Sequence, residues 1–225
     1  MNGNAFFAIA AVITGASVPA IADDARSWTG FGAGAHTGVG FADYFGQHDS
    51  SEPGNVIDFR DVEGPEAVAG FKIHYDHQFE NDFVVGGSVD MSFGLGSTTG
   101  PRSTEGDVLE AELDYLATAQ LRIGYAIDGL LLYGSAGLAF ANYDGLITDV
   151  QSGITGFAGE GNAGITVGGG IMWKPWENWS LFTEVLYFIF DDENETSAET
   201  PDSDPGDRFG LDGATVFRIG VTYHF

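Results

Sequence analysis

Leu109-Glu110-Ala111-Glu112-Leu113-Asp114-Tyr115-Leu116-Ala117-Thr118-Ala119-Gln120-Leu121-Arg122-Ile123 is the stretch that decides the fold. Every odd-numbered residue in it is apolar, and nearly every even-numbered one is polar. Successive side chains of an extended strand face opposite sides, so this segment has one greasy face and one charged face. Wound at 3.6 residues per turn, the same residues would scatter charge around a whole helix. The segment reads as one long strand.

Seven further segments alternate in the same way. Residues 28–38 put Phe31, Ala33 and Ala35 on one face, and 67–79 put Ala67, Ala69, Phe71, Ile73 and Tyr75 opposite Lys72, His74 and Asp76. Phe83, Val85, Val89, Met91 and Phe93 oppose Ser88, Asp90 and Ser92. The glycine-rich segments 130–143 and 162–173 carry Leu132, Leu138, Phe140, Ile165, Val167 and Ile171 on the apolar side. Segment 179–190 carries Trp179, Leu181, Val185, Tyr187 and Ile189, and 215–225 carries Phe217, Ile219, Val221, Tyr223 and Phe225. No charge falls on any of the eight apolar faces, whereas Lys72, Asp90, Glu112, Arg122, Glu184 and Arg218 share the other one. A water-soluble barrel shows the reverse. An apolar exterior around a charged interior is what contact with lipid demands. Segment 179–190 is less clean, because Phe182, Leu186 and Phe188 fall on the inner face.

The connections alternate in length. Short ones are expected at 80–82, 126–129 and 174–178, and long ones at 40–66, 95–108, 144–161 and 191–214. Short periplasmic turns with longer external loops are the outer-membrane pattern. Tyr75, Tyr125, Trp173, Trp176, Trp179 and Tyr223 all lie near the short-turn end, where an aromatic girdle belongs. The expectation is an all-β fold: an eight-stranded antiparallel transmembrane β-barrel over residues 23–225.

Composition agrees. Charged residues are 18% of the 225, below the roughly one quarter of an average soluble domain. The net charge of -25 repels phosphate backbones and argues against nucleic acid as a partner. Cysteine is absent, so disulfides and thiolate metal sites are excluded. The first 22 residues hold no charged side chain: an apolar run over 5–18 precedes Pro19 and the small-x-small Ala20-Ile21-Ala22 before Asp23-Asp24. Residues 1–22 therefore read as a secretory signal peptide, the alternative being a short buried helix. No later stretch is long and apolar enough to cross a membrane as a helix.

The opening Trp28-Thr29-Gly30-Phe31, the seventh strand Asn178-Trp179-Ser180-Leu181-Phe182-Thr183-Glu184 and the terminal Gly220-Val221-Thr222-Tyr223-His224-Phe225 resemble the OmpA-like outer-membrane β-barrel domain family. The small porin-like surface antigens of alphaproteobacteria, such as those of Brucella, are the most similar branch. The resemblance covers essentially all of 23–225. It implies that Phe217, Tyr223 and Phe225 form the C-terminal signal read by the outer-membrane assembly machinery, with membrane lipid and lipopolysaccharide as the other partners. No periplasmic peptidoglycan-binding domain is expected after Phe225.

The candidate chemistry lies on the inner faces. Lys72, Asp90, Glu112, Asp114, Arg122, Glu184 and Arg218 are expected to form an interior charge network. Buried charges must pair or meet water, so the network reads either as a salt-bridged plug or as a selectivity ring. Eight strands leave an interior only about wide enough for side chains, which disfavours a large pore. A lipid-modifying enzyme would need His, Ser and an acid at the external rim, and no such local cluster is found; His74 and His224 are the inward histidines, and His224 lies at the opposite end. Loop 191–214 holds nine acids against Arg208 alone, enough oxygen ligands for weak Ca²⁺ or Mg²⁺ binding and bridging to lipopolysaccharide. Its Asp202-Ser203-Asp204-Pro205-Gly206-Asp207 departs from a calcium loop, with Gly one place early and Gly213 at position twelve. The alternative is a solvated, self-repelling loop. No cofactor is implied. The leading functional expectation is a structural, surface-exposed envelope protein, followed by a narrow porin-like channel and, more remotely, a lipid-modifying enzyme.

Overall fold

The computed structural model describes residues 27–49, 56–62, 65–99, 108–148, 155–190, 196–197 and 208–225. They form a single antiparallel sheet of β1 (Gly30–Asp49), β2 (Val56–Val62), β3 (Pro65–Gln78), β4 (Phe83–Gly94), β5 (Ser97–Thr99), β6 (Val108–Ile127), β7 (Leu130–Thr148), β8 (Thr155–Trp176), β9 (Trp179–Phe190), β10 (Thr196–Ser197) and β11 (Arg208–His224). Neighbours in sequence are neighbours in the sheet, and β11 pairs with β1, from Gly32 opposite His224 to Gln47 opposite Arg208. That last pairing closes the sheet into a barrel and removes its edges. Three strands are short extensions of longer ones. β2 continues the β3 ladder along β1, β5 continues β4 along β6, and β10 continues β9 along β11. The barrel is thus eight-stranded, and no helix is long and apolar enough to cross a membrane among the described residues.

Several strands are longer, and two of the three short turns tighter, than the sequence pattern suggests. β6 and β7 are joined by Asp128-Gly129 alone, both with positive φ (46° and 86°), the backbone of a two-residue hairpin whose twist matches that of its strands. Glu177-Asn178 joins β8 to β9. Phe79–Asp82 join β3 to β4, with Asp82 at φ 63° and its N–H donating to the Phe79 carbonyl at 3.0 Å. At the other end β1, β7, β8 and β11 run on into the segments expected to be loops.

The faces are sorted as lipid contact requires. Leu121 (76% exposed), Leu138 (68%), Val89 (62%) and Ile219 (61%) stand outward on four different strands. Exposed aromatics mark both limits of this band. Phe31, Tyr75, Phe83, Tyr125, Trp173, Trp176, Trp179, Tyr223 and Phe225 ring the short-turn end. On three strands a second aromatic stands ten residues further along: Phe41 above Phe31, Phe93 above Phe83, and Tyr115 above Tyr125. Ten residues at about 3.3 Å each, tilted by about 40°, span about 25 Å, the height of a barrel's lipid-facing band.

Two expected interior charges are not interior. β6 opposes β7 as Leu113 to Tyr143 and then Tyr115 to Asn142, so Asp114 is an extra residue in a β-bulge. An extra residue turns every side chain above it to the other face. Leu113 is therefore buried, while Glu112 and Asp114 are exposed beyond the aromatic rim. Asp114 accepts a hydrogen bond from Asn142 Nδ2 at 2.7 Å.

Candidate functional site

Of the remaining five expected network residues, Lys72, Asp90, Glu184 and Arg218 meet inside the barrel, and Arg122 is buried beside them. Glu184 on β9 is the hub: Lys72 Nζ donates to both its oxygens at 2.9 and 2.7 Å, Arg218 Nε donates at 2.6 Å and the Tyr133 hydroxyl at 2.7 Å. Arg218 Nη1 also reaches Asp90 Oδ1 at 2.7 Å. The other oxygen of Asp90 accepts from Thr118 at 2.7 Å and Gln120 at 3.2 Å. Arg122 is held apart from this hub in a two-pronged pair with Asp76, whose second prong is very short. All six charged groups are buried, three cations against three anions, so this layer is locally neutral although the chain is strongly acidic.

Local sequence explains the fit. Lys72, Asp90, Arg218 and Glu184 project inward because each lies in phase with its strand's inner face, and Lys72 opposes Asp90 as Glu184 opposes Arg218 across the ladders. Glu184 and Arg218 pair directly across their ladder, whereas Lys72 reaches Glu184 and Arg218 reaches Asp90 between strands that are not neighbours in the sheet. Tyr133 needs room to reach Glu184, and Gly170 supplies it: a Cβ there would lie 2.7 Å from the Tyr133 hydroxyl. Lys72 also lies over the Phe182 ring at 4.8 Å, and Arg122 over Tyr133 at 5.4 Å, so each cation stem packs on an aromatic.

Apolar side chains close this layer on both sides. Val68, Leu116, Leu186, Phe188, Val216 and neighbours form one buried cluster towards the long-connection end. Trp28, Val84, Leu131, Met172 and Phe182 form the other towards the short turns. The inward Phe182, Leu186 and Phe188, irregular in the sequence pattern, belong to these two layers. Trp28 was expected to begin a strand; it precedes β1 and is buried at 1% exposure.

Several interior residues carry no sequence signal of their role. Asp76 and Ser92 were placed on the inner face but not in the network, and His36 and Tyr133 were not singled out. His36 Nε2 and Ser92 Oγ are 2.8 Å apart, as are His224 Nε2 and Ser180 Oγ. Neither pair is built as a nucleophile. Both serines are buried in the barrel wall, and His36 Nδ1 has no partner to orient the ring. Among the described residues no group of three His, Asp or Glu is arranged for a metal. Most of the acidic segment 191–214 lies outside the described residues.

Phe217, Tyr223 and Phe225 stand on the lipid face of β11, 47%, 37% and 77% exposed. Tyr223 packs edge-on against both Trp179 and Phe225.

A closed antiparallel barrel with an apolar, aromatic-rimmed exterior and a charged layer sealed within is a membrane-spanning barrel. The chain belongs to the family of outer membrane protein beta-barrel domains, whose model matches residues 8–225. It is 28% identical over 225 residues to the 31 kDa outer-membrane immunogenic protein of Brucella melitensis, covering 95% of this chain and 91% of that protein, and equally to its Brucella suis counterpart. Among solved structures, the outer membrane protein OprG of Pseudomonas aeruginosa superposes with a TM-score of 0.57 at 13% identity, over 90% of this chain and 99% of that one. At that identity the likeness is one of fold.

Proposed function

We infer that this outer-membrane barrel is a structural, surface-exposed component of the envelope rather than a pore or an enzyme. The observation that carries this reading is the interior: apolar, charge-paired and apolar layers of buried side chains succeed one another along the axis. An eight-stranded barrel has width for little else. Such a plug rigidifies the wall and fills the lumen with packed and paired side chains. The short turns then face the periplasm, and the long acidic connections face outward, where divalent cations could join their carboxylates to lipopolysaccharide phosphates. Residues 1–22 would serve export as a cleaved signal peptide, and Phe217, Tyr223 and Phe225 would be the signal read during assembly. A non-enzymatic role is favoured because both Ser–His pairs are buried in the wall and His36 has no orienting partner.

Planar-bilayer recording of the purified, refolded protein tests this. The expected record shows no steady channel. A steady small conductance would overturn the structural reading in favour of a narrow porin-like channel, and altered lipid A on expression in a defined host would revive the enzyme.

A further inference from the structure

Trp28 is one of four tryptophans, and the other three, Trp173, Trp176 and Trp179, stand on the lipid face at 50%, 62% and 46% exposure. Trp28 lies before the first strand, where a chain end is ordinarily solvated, yet it is 1% exposed. Its indole packs in one cluster with Val84 of β4, Ala126 of β6, Leu131 of β7, Met172 of β8 and Phe182 of β9. It also meets the His224 ring of β11 edge-on, at 5.7 Å between centroids.

Polar contacts fix the segment that carries it. The Trp28 N–H donates to Gln78 Oε1 at 3.0 Å, and the Gln78 N–H donates to Thr29 Oγ1 at 3.0 Å. Lys174 Nζ donates to the Ser27 carbonyl and sits 4.8 Å above the indole ring. Outside the indole a cleft opens to water between the short turns, lined by Ser27, Thr29, Gln78, Asp82 and Asp128. Inside it lie buried groups with unpartnered polar atoms, both ring nitrogens of His74 and Oγ1 of Thr222.

We propose that Ser27-Trp28-Thr29 is a docked stopper: the Trp28 indole seals the short-turn mouth of the barrel, and Lys174 and Gln78 latch it in place. The inference builds on the closed-barrel reading above and assigns that closure, at the mouth facing the periplasm, to one residue outside the sheet. The latch is non-covalent and lies at the rim, so the stopper can be unseated without opening the sheet. The contact with His224 of β11 also means that it can seat fully only after β11 has met β1.

The test uses the absence of cysteine. Thr222→Cys, at a position 0% exposed and without a hydrogen bond to lose, places a single thiol behind the indole. With the stopper in place, a small charged methanethiosulfonate reagent should label this thiol slowly in the vesicle-reconstituted protein. Adding Trp28→Ala should speed labelling at least tenfold, and Trp28→Phe should restore protection. Fast labelling in the Thr222→Cys parent would sink the closed-barrel reading at this end. Slow labelling in both would leave the barrel closed but refute the stopper. Should Trp28→Ala fail to assemble, Lys174→Met is measured in a background where Trp173, Trp176 and Trp179 are Phe. There, acrylamide quenching of Trp28 is expected to be weak and to rise severalfold on loss of the latch; strong quenching before that substitution would refute docking, and no rise after it would refute the latch.

Discussion

Replacing Glu184 with alanine removes the acceptor of four hydrogen bonds at once and leaves Lys72 without its carboxylate partner inside the wall. Arg218 keeps Asp90. Breaking a buried pair from one side strands an uncompensated charge and costs about 3–5 kcal/mol, more than the pair itself contributes over an apolar replacement. At about 1.4 kcal/mol per decade, this lowers the folding equilibrium constant by roughly a hundred- to several-thousandfold. The double variant Lys72→Met with Glu184→Gln removes both charges, keeps an oxygen for Arg218 Nε and the Tyr133 hydroxyl, and should cost only about 1–2 kcal/mol. In the cycle closed by the Glu184→Gln and Lys72→Met single variants, Lys72→Met should therefore relieve part of the damage done by Glu184→Gln. Urea unfolding of the barrel refolded in lipid vesicles, read by gel mobility and extrapolated linearly, measures both. Should Glu184→Ala fall within about 1 kcal/mol of the parent, water reaches and screens these charges, and the reasoning from a dry plug is wrong.

On the lipid face, Leu138→Arg places a charge well inside the apolar band and should cost about 2–4 kcal/mol in the same unfolding assay, whereas Leu138→Phe should be near neutral. A Cβ at Gly170 would first meet the Thr183 carbonyl oxygen and then, at 2.7 Å, the Tyr133 hydroxyl, so Gly170→Ala should cost about 1–3 kcal/mol, and a Tyr133→Phe background should remove only the part owed to the bond with Glu184. Asp144 lies beyond the aromatic rim, and partial burial, then the Asp114 charge, pushes its carboxyl above the usual range. The folded protein therefore holds that proton more tightly than the unfolded chain. Ionised Asp144 opposes the fold at neutral pH, and the opposition fades as pH falls through the raised value. Asp144→Asn should stabilise the protein at pH 7 and make no difference well below the ordinary carboxylate range, as paired unfolding curves would show.

Much of this architecture was legible because lipid contact imposes a period of two with no charge allowed on one face. That rule picked out the outward residues of the eight long strands, save beyond the bulge in β6 where Leu113 turns inward, and with them the inner positions of Lys72, Asp90, Arg122, Glu184 and Arg218. It says little about the inner face itself, where apolar and charged residues are both admissible if packed or paired. Phe182, Leu186 and Phe188 therefore looked irregular until the dry layers they build were visible. The bulge at Asp114 was hidden for another reason. Leu113 and Tyr115 are both apolar and both odd-numbered, so the alternation runs unbroken through a point where the faces exchange. The pairings of Arg122 with Asp76 and of His36 with Ser92 reach past an intervening strand and depend on how the sheet curls, which no single strand records. In the sequence Trp28 reads as the start of the first strand; its place is set by the closing of the whole barrel around it and not by alternation.

The two rim bulges have a consequence for how such a surface can vary. β6 carries its extra residue at Asp114, and β11 carries another at Asp212, between the pairings of Asp43 with Gly213 and Tyr44 with Leu211. Both sit just above the aromatic rim. Each works as a slip joint, taking up a residue so that the hairpins beyond it keep their own phase. A gain or loss of an odd number of residues in an outer hairpin can be absorbed there and does not propagate down the strand to turn greasy side chains inward. The exterior hairpins are thereby free to drift in length and to accept inserted epitopes, while the wall beneath stays in register.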